Sequence, residues 1–321
     1  MKRAIVALVL LAGLALWMLG APYQGYSRET FVDIPHGSSV RTIARKLSEA
    51  GVIRFQWTLL AARMLHPSGV LQAGEYQFST PLSASQVLSK LTRGDVYFVE
   101  LTVPEGANIF DIAELVASRS SLTADSFLKA ARNTALIRDL APMAQSLEGF
   151  LFPATYRLTH STTADDLCRQ MVAQFRKEWI RLGGGDATRV VTLASIVEKE
   201  TGNPQERPII AGVFLNRLKK PMRIESDPTV VYAALLEHRY NGVIHKSDLA
   251  NHNPYNTYQS DGLPPGPIAN PGAAALQAVL HPEPTKYLFF VAKPEGGAHR
   301  FSETLAEHNR AVQDYRHGLK R

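Results

Sequence analysis

Val190–Asn203, VVTLASIVEKETGN, reads as one helix with an acid on its apolar face. At about 100° per residue, Val190, Leu193, Ile196 and Val197 form a stripe, and Glu200 falls within it. Glu198 points roughly 160° away and reads as a solvated or salt-bridged surface residue. Pro204 stops the helix, and Gly202 is the expected exit residue. Glu200 then belongs to the last turn. Apolar surroundings and the negative end of the helix dipole both disfavour its ionised form there. Such an acid keeps its proton near neutral pH, as a general acid must. The plainer alternative is that the stripe runs out at Glu200 and the head group reaches water.

Downstream, Pro208–Leu218 is a second helix with Ile209, Val213, Phe214 and Leu218 on one side and Asn216-Arg217 at its end. Val230–His238 is a third, and Asp227, before Pro228, is expected to cap it. Between them and a short helix at Ala273–Leu280 lies Asn253–Gly272, NPYNTYQSDGLPPGPIANPG. Proline and glycine at this density fix a defined loop. Its Tyr255, Asn256, Thr257 and Tyr258 offer aromatic faces, amides and hydroxyls, the groups that grip sugars. A packed loop with buried tyrosines explains the same composition. Tyr287–Ala292 reads as a buried strand and Gly296–Phe301 as a turn into another strand. Ser302 is expected to cap a last helix, Leu305–Arg316.

Upstream, Thr30–Pro35 is a strand, Val40–Gly51 and Gln56–Leu65 are helices, Gly74–Phe78 is a strand and Ser83–Arg93 is a helix. Ile34–Ala44 matches Val103–Ala113 in the pattern apolar-Pro-x-Gly-x-x-apolar-x-x-Ile-Ala, 69 residues on. This is either a duplicated unit or one supersecondary solution used twice. Thr123–Ala144 reads as a connecting helix and Ala164–Leu182 as another. The fold class is α+β.

The chain has 321 residues, a formal charge of +6 and one cysteine, Cys168, so no intrachain disulfide can form. Its basic charge lies in no Lys/Arg run longer than two, and no nucleic-acid motif accompanies it, so a nucleic-acid partner is not expected. His281, His299 and His308 match no zinc spacing, and no metal or other cofactor is expected. Lys2 and Arg3 precede eighteen uncharged residues, Ala4–Ala21. That length spans a bilayer core of about 30 Å, with the N-terminus in the cytoplasm. A cleaved signal peptide competes, although Leu19 suits a cleavage site poorly.

ASIVEKET (Ala194–Thr201), FLNRL (Phe214–Leu218), SDPTVVY (Ser226–Tyr232), YNTY (Tyr255–Tyr258), GLPPGPIANPG (Gly262–Gly272) and HNRAVQDY (His308–Tyr315) occur in order. With LEGFLFPATY (Leu147–Tyr156) they make the chain closely resemble the MltG (YceG-like) endolytic murein transglycosylases. The resemblance implies a cytoplasmic tip at 1–3, a transmembrane anchor at 4–21, a linker at 22–29 and a membrane-proximal LysM-like region at 30–122. A connecting segment at 123–146 and a mostly helical α+β catalytic domain with a short sheet at 147–321 would follow. LysM modules bind N-acetylated glycans, and here a spacing role is equally open.

The resemblance also implies cleavage of peptidoglycan strands between N-acetylmuramic acid and N-acetylglucosamine, leaving a 1,6-anhydro end. The enzyme would sit in the bacterial inner membrane with its catalytic part in the periplasm, associated with peptidoglycan synthases (penicillin-binding proteins). Glu200 would be the catalytic acid. Glu148, Asn216, Arg217, Ser226, Tyr255, Asn256, Thr257 and Tyr258 would be substrate-groove residues. For Asn216 a helix cap, and for Arg217 a surface charge, are the alternatives. A hydrolytic muramidase with a second carboxylate, or a glycan-binding scaffold without activity, are the competing functions.

Overall fold

The computed structural model describes residues 5–6, 10, 13–14 and 17–318. They form two compact units, Met1–Val99 with Arg157–Ser161, and Glu100–Tyr156 with Thr162–Arg321. Eight of the eighteen residues in the stretch expected to cross a membrane, 4–21, lie outside the described residues. Among the described residues no helix is long and apolar enough to do so.

The first unit is built on β1 (Thr30–Ile34), α1 (Val40–Glu49), α2 (Gln56–Leu65), β2 (Gly74–Phe78) and α3 (Ala84–Arg93). β1 and β2 pair antiparallel, with Val32 opposite Tyr76 and Ile34 opposite Gly74. The period of two sends Val32, Ile34, Tyr76 and Phe78 to one face, where they are buried. Ile43, Ala44 and Leu47 of α1 and Leu59 and Ala62 of α2 cover that face. Each buried Val, Leu or Ile side chain among them contributes about 1.5–3 kcal/mol. Ser39 starts α1 by accepting from Thr42 N, and Gly37, at φ +76°, makes the turn before it.

The motif recurs. β3 (Val99–Thr102) pairs with β4 (Thr155–Leu158), with α4 (Ile109–Arg119) and α5 (Ala124–Ala130) between them. Gly106 repeats the left-handed turn at φ +75°. Asn108 repeats the cap, in a reciprocal box with Asp111. The helix expected over Thr123–Ala144 stops early, at Ala130, and only a 3-10 turn follows at Thr134–Ile137. The carbonyl of Ala131, which a continuing helix would give to Ala135, instead accepts from Leu147 N at 2.7 Å.

The second unit continues with α6 (Ala164–Arg181), α7 (Ala187–Glu200), α8 (Arg207–Lys219), α9 (Asp227–Leu236), the single turn α10 (Lys246–Leu249), α11 (Ala273–Leu280), the antiparallel pair β5 (Phe289–Ala292) and β6 (His299–Ser302), and α12 (Leu305–Gly318). α7 is the central element, with α8, α9 and α11 packed against it. Every residue from Val191 to Val197 is buried. Its Ser195 donates to Thr192 O and accepts from Ile268 N at 3.0 Å, pinning the proline-rich loop to the helix.

Several expected ends move. α7 closes at Glu200 on an extended Thr201 (φ −144°, ψ 135°), so Gly202 is not a left-handed exit. β5 begins at Phe289, not Tyr287, and is only half-buried, because a two-stranded ribbon has one covered face. Thr304, not Ser302, caps α12. Its hydroxyl accepts from Glu307 N while Glu307 accepts from the Thr304 N–H, and Ser302 is the buried end of β6.

Candidate active site

Glu200 is the last residue of α7 and is partly buried. Its Oε1 accepts a 2.5 Å hydrogen bond from Ser226 Oγ. Ser226 is 1% exposed, and Thr257 Oγ1 accepts from its amide at 3.0 Å. Burial raises the Glu200 carboxyl above the usual carboxylate range, and the charge of Asp227 adds to that. The Ser226 hydrogen bond and the Arg217 guanidinium pull the other way.

Ser226 is delivered by an irregular segment. Glu225 stands at φ +54°, a conformation that costs a non-glycine residue on the order of 1–3 kcal/mol. Arg217 holds this segment in place. It donates to Ile224 O and Leu288 O at 2.7 Å each and to Arg223 O at 3.2 Å, and it pairs with Glu225 at 3.4 Å. Asn216 donates to Thr285 O and Tyr287 O. These side chains are therefore internal clasps, neither a surface charge nor a helix cap. Arg217 is 7% exposed.

The YNTY motif divides in two. Asn256 and Thr257 are fully buried. The Asn256 amide donates to the carbonyls of Asp248, Leu249 and Asn251, and Thr257 bridges to Ser226 and to Thr229 Oγ1. Tyr258 donates to Asp227 Oδ1 at 2.7 Å, and the Tyr255 ring tilts against Tyr232 at 5.1 Å. Asp227 is not the cap of α9. Ser226 occupies that position, and the Asp227 carboxylate faces Tyr258 instead. An open cleft of about 300 Å³ is lined by Asp227, Tyr232 and Tyr240, with Lys199 and Asn108 also on its walls.

Two acids differ from expectation. The Glu198 side chain is 4% exposed, not on the surface. It pairs with Arg207 at 2.6 Å and accepts from Gly272 N at 2.9 Å. Glu148 is 3% exposed, accepting from Ile109 N, Tyr232 OH and Asn270 Nδ2 at 2.9–3.0 Å. Burial pushes its carboxyl up to about 8. It joins α4, α9 and the proline-rich loop from the inside.

Glu206 and His299 form a pair that no sequence signal marks. Glu206 accepts from the His299 amide at 2.7 Å and meets its Nδ1 at 2.7 Å. His308 stacks on Phe289 at 5.2 Å, and His281 follows α11.

Residues 32–314 match the profile of the YceG-like family. The chain belongs to the YceG-like family. It is 34% identical over 317 residues to the endolytic murein transglycosylase of Bacillus subtilis strain 168, covering 92% of this chain and 87% of that one. It is 29% identical to the protein of that name from Streptococcus pneumoniae D39, covering 88% of this chain but 58% of the longer relative. The crystal structure of a yceG-like protein from Listeria monocytogenes superposes with a TM-score of 0.57 at 32% identity, covering 88% of this chain and 99% of that one. In this YceG-like chain, then, the motif residues fall into two groups. Glu200, Ser226, Asp227 and Tyr258 make a linked set around one acid, Arg217 and Thr257 hold the segment that carries Ser226, and Glu148, Asn216 and Asn256 clasp other segments of the same unit.

Proposed function

We propose that this chain is a lytic transglycosylase acting on peptidoglycan, with Glu200 as the acid and then the base. The observation that carries the reading is the Glu200 carboxyl, raised by burial and oriented by a single short hydrogen bond from Ser226. Protonated Glu200 donates to the glycosidic oxygen between N-acetylmuramic acid and N-acetylglucosamine, and the 4-hydroxyl of the glucosamine leaves. The carboxylate then takes the proton of the muramyl 6-hydroxyl as O6 closes on C1. Glu200 is protonated again, no water is consumed, and a 1,6-anhydro end remains. The two named relatives support this substrate class.

A hydrolytic reading has one observation in its favour. Asp227 is exposed and acts on Glu200 through its charge, so it is a candidate base for water. Its hydrogen bond from Tyr258 argues for a positioning role instead. Digestion of purified murein by wild type and Glu200→Gln, with product masses recorded, separates the readings. Products one water lighter than hydrolytic ones, absent with the variant, are expected. Hydrated products, or equal digestion by the variant, would overturn the proposal.

The same reading places the chain at the bacterial inner membrane, anchored through 4–21, beside the peptidoglycan synthases that extend the strands it cuts. It keeps 147–321 as the catalytic part and 123–146 as the connecting segment. The strand-helix-helix-strand order of β1, α1, α2 and β2 supports a LysM-like assignment within 30–122.

A further inference from the structure

α2 presents an apolar face that the first unit leaves uncovered. Thr58, Leu59 and Ala62 point inward. On the opposite side, Trp57 and Met64, seven residues apart and so on one helical face, are 40% and 82% exposed. Phe55, at the N-cap, is 43% exposed, and its ring stacks near that of Trp57 at 6.3 Å. Leu65, at the end of the helix, is 59% exposed. From Gly51 to Ala73 the chain contains no acidic residue and carries Arg54 and Arg63.

The apolar N-terminal stretch ends beside this face. Trp17, Met18 and Ala21 line a cavity of about 100 Å³ together with Ile53, Arg54 and Phe55. Leu19 is part of the core of this unit, and the Arg54 guanidinium lies over the Tyr23 ring at 5.0 Å. The end of the stretch is thus packed into the unit at the edge of the α2 face. Trp17 itself is 62% exposed.

We propose that the Phe55–Trp57–Met64 face lies in the interface of an anionic lipid bilayer. A Trp57 ring with an apolar body and a polar N–H edge, beside the apolar Phe55 and Met64 and set in an acid-free stretch carrying Arg54 and Arg63, is the chemistry of a helix lying in a membrane interface. The proposal rests on the reading of 4–21 as an anchor, which brings α2 to the bilayer surface without a search. A surface of this kind would fix the distance of the first unit from the membrane.

The test uses the full chain in nanodiscs of phosphatidylcholine with an anionic phosphatidylglycerol fraction. Nitroxide labels are placed at Met64→Cys, at Leu10→Cys, and at Arg45→Cys on the exposed side of α1 as the aqueous reference. Cys168 is buried and its thiol is pushed up to about 12, so it stays unlabelled. The ratio of oxygen to nickel-complex accessibility should be several-fold higher at position 64 than at position 45. It should fall to the reference value in Phe55→Ser/Trp57→Ser, whose replaced side chains are both partly exposed. A water-like label at 64 beside a bilayer-like label at 10 overturns the docking face and leaves the anchor standing. A water-like label at 10 overturns the anchor by its own readout. Spin-spin broadening at 64 that vanishes at one chain per disc gives the face to a second copy and also overturns the proposal.

Discussion

Replacing Ser226 by Ala should move the alkaline limb of the activity profile upward. Ser226 Oγ donates to Glu200 at 2.5 Å, which favours the ionised carboxylate. A hydrogen bond to a charged group contributes about 1.5–3 kcal/mol. Losing the bond should therefore raise the Glu200 pKa still further above the usual carboxylate range. The general acid works only while protonated, and activity is lost as pH rises through that pKa. The variant should therefore keep its relative activity to a higher pH than wild type. The folding cost is contained, because the Ser226 side chain makes no cap bond to α9 and its amide keeps Thr257 Oγ1. The assay is the initial rate of muropeptide release from purified murein across pH, each enzyme scaled to its own plateau. An unmoved limb, or one shifted to lower pH, would refute the placement of Glu200 as the titrating acid.

Glu200→Gln should lower the rate by at least about a hundredfold, the range for loss of a general acid, without lowering the melting temperature, because it removes a carboxyl whose charge burial already disfavours. A thermal melt run beside the murein assay checks both halves. Arg207→Met leaves Glu198 buried without its partner and should cost about 3–5 kcal/mol in denaturant unfolding. Glu198→Met/Arg207→Met should recover much of that loss, and a double variant as unstable as the single one would count against the pair. Glu148 titrates near 8 in the fold against an ordinary 4.5, so folding favours its protonated form. That stability is fully present below about pH 4.5 and is lost as pH rises through 8. The wild-type melting temperature should therefore fall between these values relative to Glu148→Gln, and parallel profiles would refute the buried assignment.

Local chemistry made much of this fold legible. Ser39, Ser83, Asn108, Thr123 and Thr163 each cap the helix that follows, and the Ile34 and Val103 motifs each produce a strand, a left-handed glycine turn and a capped helix. Helical period put Glu200 on the apolar stripe of α7. The same reasoning misplaced Glu198, because it assumed that a helix has a wet side. α7 has none along Val191–Val197, and the far face meets Arg207 and Gly272. The helix at Thr123–Ala144 failed for a related reason, since a carbonyl it needed is claimed by Leu147.

The sequence by itself determined where helices and turns begin, which side of α7 carries an acid, and that one loop is rigid and rich in tyrosine. Those features depend on neighbours a few residues apart, and periodicity and capping report on nothing longer. Only the tertiary structure decided that Ser226 orients Glu200, that Arg217 and Asn256 grip backbone from within, and that Glu206 meets His299. A side chain's partner and its degree of burial are set by segments distant along the chain, and these set the proton affinity of each carboxyl.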